Sequence, residues 1–68
     1  MADTKKLDDL IKNNKLTKTE VARRLGLSRY GFYKKLNNET EFKLSEVSQL
    51  SDMLGIKTPK ERESIFFN

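Results

Sequence analysis

Apolar residues recur along this chain at helical spacing. Leu7, Leu10 and Ile11 share one face of a first segment, and Val21, Ala22 and Leu25 share one face of a second. Phe32 and Leu36 fall together in a third. Leu44, Val47, Leu50 and Leu54, with Met53 alongside, mark a fourth. These spacings are those of amphipathic helices, and no run alternates with the period of a strand. A short last helix ends in Ile65-Phe66-Phe67. The expected fold is all-α: a compact bundle of about five short helices, in one domain over residues 1–68, with no internal repeat.

Polar punctuation places the boundaries. Asp3 or Thr4 can cap the first helix, and Asn13-Asn14 would end it. Thr17 is an N-cap with Glu20 at N3, the spacing of a capping box; Leu16 and Val21 have the spacing of a hydrophobic staple. Gly26 follows the last apolar residue, where a helix ends in a left-handed conformation that glycine adopts freely. Ser28 caps the next helix, with Leu27 and Phe32 as a second staple. Two capped helices so close must cross sharply, and small Ala22 lets the second approach the first. Residues 37–41 are polar and read as a loop, and Gly55 closes the fourth helix. Thr58-Pro59-Lys60-Glu61 supplies a threonine cap, proline at N1 and glutamate at N3.

Residues 17–37 therefore form two helices around a tight turn, the layout of a helix-turn-helix. In the second of these helices Phe32 and Leu36 define the buried side. Arg29, Tyr33 and Asn37 form a row at i, i+4 and i+8, with Tyr30 and Lys34 beside it. Cations, tyrosines and asparagine suit phosphates and base edges. Arg29 opens the helix, where a cation opposes the helix dipole, a mild cost that favours a functional role. Each residue also has a plainer reading: solvated surface for Arg29, Lys34 and Lys18, half-buried core for Tyr30 and Tyr33. Arg23 and Arg24 read as solvated.

Charge sharpens this picture. Residues 17–38 carry six cations against one acid, a net +5 within a whole-chain balance of +4. Residues 39–68 carry four cations against six acids. A pI of about 9.5 favours an anionic partner. With no cysteine or histidine, disulfides, thiol chemistry and the usual zinc sets drop out, along with the common catalytic bases. Adjacent Asp8 and Asp9 point apart on a helix, and no glycine-rich phosphate loop is present. An enzyme, a metal, a cofactor and a small-molecule ligand are therefore not expected. No apolar run approaches the ~20 residues that span a bilayer. Absence of cysteine is compatible with a reducing cytoplasm.

Val21, Ala22, Leu25, Gly26, Leu27, Ser28 and Phe32, in register, resemble the small helix-turn-helix regulators of the phage repressor and Cro family. The resemblance covers roughly residues 7–56. The stretch Phe32-Tyr33-Lys34-Lys35-Leu36-Asn37-Asn38 and the residues after it also resemble short phage and prophage proteins of Gram-positive bacteria. The family resemblance implies base reading by Arg29 and Tyr30, and then by Tyr33 and Lys34. It implies phosphate contact by Lys18, backbone contacts by Thr17 and Ser28, and approach of Asn37 and Asn38 to the DNA backbone. Two positions depart from the family pattern. Lys35 stands where an apolar residue is usual; its stem is expected to pack while its ammonium reaches water. Gly31 lies inside the helix, at a cost of up to about 1 kcal/mol. Close approach to DNA or simple tolerance would account for it.

The function implied is sequence-specific binding of operator duplex by a Cro-like transcriptional repressor in a bacterial cytoplasm or nucleoid, as a two-fold dimer with one helix per half-site. Ile65, Phe66 and Phe67 are candidate dimer contacts, with sealing of the monomer core as the alternative. The rival class is a protein-interaction module, antitoxin-like, antirepressor or inhibitor, that reuses the fold.

Overall fold

A computed structural model describes residues 1–67. Each helix begins on a polar residue that its neighbours require. In α1 (Thr4–Asn13) the Asp3 carboxylate accepts the Lys6 N–H. In α2 (Lys18–Arg24) Thr17 Oγ1 accepts from Glu20 N, and in α3 (Arg29–Leu36) Ser28 Oγ accepts from Gly31 N. In α5 (Pro59–Phe66) Thr58 Oγ1 accepts from Glu61 N. The expected capping box at Thr17 is only half formed. The Glu20 carboxylate faces Arg24 one turn on, at 3.4 Å, instead of returning to the Thr17 N–H. The reciprocal half of such a box appears at α4 (Leu44–Leu54), where Glu46 Oε1 accepts the Lys43 N–H.

Four of the helices end through one left-handed residue: Lys15, Gly26, Asn38 and Gly55. At Gly26 the pattern is complete. Gly26 N–H bonds to Arg23 O and Leu27 N–H to Ala22 O, so the carbonyls that α2 would leave open are used. The chain then re-enters at Ser28, and buried Ala22 lies in the crossing of α2 with α3.

The core gathers Leu7, Ile11, Val21, Ala22, Phe32, Leu36, Val47, Leu50, Leu54, Ile56, Ile65 and Phe66. Phe42, in the loop before α4, is partly buried. It meets Phe32 edge-on at 6.3 Å and Phe66 at 5.7 Å, joining α3 to α5. The first residues strap the same elements together. Ala2 N–H donates to Asn38 Oδ1 and Asn38 Nδ2 donates back to Ala2 O. Asp3 N–H bonds to Ile65 O, and Thr4 Oγ1 bonds to Leu36 O.

Two sequence expectations change here, at Leu44 and Lys35, and Ile65 and Phe66 take the monomer-core alternative. Leu44 is 79% exposed, because the buried stripe of α4 starts one turn later, at Val47. Ile65 and Phe66 are buried in the monomer, so of the candidate dimer contacts only Phe67, 55% exposed, offers apolar surface. Lys35 does not send its ammonium to water. It is buried, with Nζ 2.6 Å from Glu46 Oε1 and 3.3 Å from Glu41 O. Burial alone would push the Glu46 carboxyl up. The bonds from Lys35 and from the Lys43 N–H, with the charges of both ammonium groups, outweigh it and hold the carboxyl below its ordinary value.

Candidate functional site

The buried residues of α3 are Phe32, Lys35 and Leu36, and they fix which side of the helix faces out. Arg29, Tyr30, Tyr33 and Asn37 are exposed, and Lys34 lies half-buried beside them. Tyr30 is 72% exposed and Tyr33 39%, so neither belongs to the core. An aromatic ring left in water without an apolar partner is the informative kind of exposure.

Both rings carry an ammonium group. Lys34 Nζ stands 5.5 Å from the Tyr30 ring centroid, and Lys18 Nζ stands 5.7 Å from that of Tyr33. Contacts of this kind in water are worth about 0.5–1 kcal/mol, enough to bias rotamers without locking them. Lys18 reaches Tyr33 from the first turn of α2, so the two helices of the motif present one continuous surface. The remaining contact of Lys18 is Asp8 on α1, at 3.2 Å. Among the described residues, the Arg29 side chain has no ion pair or hydrogen bond. Its guanidinium stands free at the start of α3, against the helix dipole.

Thr17 and Ser28 are exposed, and their hydroxyl oxygens already accept the capping N–H groups. Each hydroxyl proton stays available as a donor. Asn37 is exposed at the end of α3. Asn38 is placed differently. Its amide bonds on both sides to the Ala2 backbone, so its side chain ties down the first residues, and one N–H and one oxygen lone pair remain for a further partner. Gly31 also has a local reason. A Cβ there would stand 3.1 Å from Ser28 Oγ, the oxygen that accepts the Gly31 N–H. The glycine gives the cap room.

Thus Thr17, Lys18, Ser28, Arg29, Tyr30, Tyr33, Lys34 and Asn37 lie on the solvent-facing parts of the α2–α3 motif. Sequence reasoning missed Asp8 as the partner of Lys18. Their 10-residue separation crosses two helices, and no local pattern signals it.

The family model of the Cro/C1-type HTH DNA-binding domain matches residues 6–61. The chain belongs to this Cro/C1-type helix-turn-helix family. That membership supports binding of double-stranded DNA. None of the curated proteins or solved structures matches the chain. Among the described residues no helix is long and apolar enough to cross a membrane, and no cluster of acidic side chains is arranged to hold a metal ion.

Proposed function

We propose that this Cro/C1-type domain is a sequence-specific transcriptional regulator of the Cro-like repressor kind. It inserts α3 into the major groove and occupies operator DNA as a two-fold dimer. The observation that carries the reading is the outward face of α3: free Arg29, solvent-exposed Tyr30 and Tyr33, and Lys34 between them. Arg29 has the donor geometry to hold a guanine edge with two hydrogen bonds, a contact worth about 1–3 kcal/mol of discrimination. The tyrosines offer hydroxyls to phosphate and ring faces to thymine methyls. Lys18, Thr17, Ser28 and Asn37 flank this face and suit phosphate contacts. Asn38, held by the Ala2 backbone, keeps one amide N–H for the same use. A dimer places its two α3 helices about 34 Å apart, in successive major grooves. Bound at a promoter, it excludes polymerase. No ligand or chemical step is required.

On random-sequence duplex, where Arg29 has no cognate guanine and meets phosphate instead, Lys18, Arg29 and Lys34 neutralise one phosphate each, and a dimer releases about six counterions. Affinity for random-sequence duplex should then fall roughly a thousandfold between 50 and 200 mM salt. Fluorescence anisotropy across that range measures it. Salt-insensitive binding, or none at the lower salt, would contradict the reading. It would favour the interaction-module alternative, with Phe67 as the exposed apolar anchor. Strictly one chain per palindromic duplex would refute the dimer alone.

A further inference from the structure

Asp8, Lys18 and Tyr33 bring α1, α2 and α3 to a single point, and their arrangement is unequal. Lys18 Nζ lies 3.2 Å from Asp8 Oδ1, and the two side chains keep 39% and 32% of their exposure. The Asp8 oxygen that faces Lys18 is itself withdrawn from solvent, and no hydrogen bond among the described residues reaches it. Lys18 is thus the counter-charge of that oxygen. A cation in the first turn of α2 opposes the helix dipole, so α2 gains nothing from it. The Tyr33 ring, its centroid 5.7 Å from the same ammonium, biases it toward this position.

We propose that Asp8 is an internal substitute for a DNA phosphate: it holds Lys18 in the free protein and restrains sequence-independent attraction to duplex DNA. The inference rests on the DNA-facing assignment of Lys18 in the preceding section. A phosphate at the groove edge presents Lys18 with the same chemistry as Asp8, an anionic oxygen. If Lys18 swings fully toward the phosphate, an oxygen withdrawn from solvent gives up the cation 3.2 Å from it, a modest penalty because the Asp8 side chain keeps 32% of its exposure. Lys18 therefore meets the phosphate from where it stands, still shared with Asp8. Non-specific complexes, in which phosphates do not sit at one fixed register, gain least from this constrained ammonium. Asp8 thereby acts as a positioning residue that weakens loose binding more than registered binding.

The test is a double-mutant cycle on random-sequence 20-base-pair duplex at low salt, read by anisotropy, with Asp8→Asn, Lys18→Gln and the double variant. Asp8→Asn keeps the side-chain shape and frees Lys18, so it should tighten binding by roughly 3–5-fold, the upper scale of one partly exposed ion pair. In the Lys18→Gln background the same change should have an effect under about twofold. If Asp8→Asn tightens binding equally in both backgrounds, its charge acts at long range and the proposal fails. Weakened binding by a folded Asp8→Asn protein also overturns it. Asp8→Ser runs the same cycle if Asp8→Asn loses its helical circular dichroism. Wild-type protein that does not bind the duplex at all would instead refute the DNA-facing assignment itself.

Discussion

Replacing Glu46 with alanine should lower the unfolding free energy by about 3–5 kcal/mol. A chain of this size has roughly 3–10 kcal/mol in total, so the variant should lose about a third of its stability or more. The carboxylate has two roles. It caps α4 by accepting the Lys43 N–H at 2.9 Å, and it neutralises the buried Lys35 ammonium at 2.6 Å. Without it Lys35 keeps only the Glu41 carbonyl, at 3.3 Å. The loss is mostly the cost of a stranded buried charge and says little about the net worth of the pair. Lys35→Met with Glu46→Leu should therefore recover much of the stability that Glu46→Ala loses. Urea unfolding followed by circular dichroism measures all of these variants. A loss below 1 kcal/mol for Glu46→Ala would mean that the pair behaves as a surface contact.

The same pair gives stability a pH dependence with a definite sign. The Glu46 carboxyl is held below its ordinary value in the folded chain. Its contribution is complete above the unfolded value, near 4.5, and is lost as pH falls through the lower folded value. In Glu46→Gln that part of the acid destabilisation should be missing.

Phe32→Ala should cost a further kind of stability, about 3–5 kcal/mol, through the cavity left in the core. Phe32 is 1% exposed and is the largest of the fully buried side chains. Its ring meets Phe42, which in turn meets Phe66. Truncation removes the support that α3 shares with α5, and with it the orientation of Arg29, Tyr30 and Tyr33. Phe32→Leu keeps most of the volume and should cost less than about 1.5 kcal/mol. Thermal melts should place Phe32→Leu within several degrees of wild type and leave Phe32→Ala without a cooperative transition. A wild-type midpoint for Phe32→Ala would show that the aromatic chain does not organise the core.

The helix-turn-helix was legible because its signals are local. Thr17, Gly26 and Ser28 act on N–H and C=O groups within a few residues, and Phe32 with Leu36 fixes the inward side of α3. The outward row of Arg29, Tyr33 and Asn37 follows from that. What sequence reading lost depends on partners far along the chain. Lys35 is a cation in the position of a core residue, and only Glu46, on another helix, makes its burial tolerable. Asn38 reads as loop surface until Ala2 is seen returning across it. Leu44 fits the apolar spacing of α4 yet stands outside the core, because spacing tells which side of a helix is apolar and not how far its neighbours extend. For Ile65 and Phe66 the sequence left core and interface both open, because it shows their apolarity but not what covers them.

If the exposed face of α3 reads DNA sequence, Arg29 is the side chain on which that reading depends most. Wild-type protein and Arg29→Ala would each be mixed with a pool of random-sequence duplexes, and the bound fraction sequenced. Wild type should enrich a palindrome with half-sites about one helical turn apart. Arg29→Ala should lose preference at one position in each half-site, a loss of roughly 5–150-fold in discrimination. An unenriched pool, or the same palindrome equally enriched by both proteins, would contradict it.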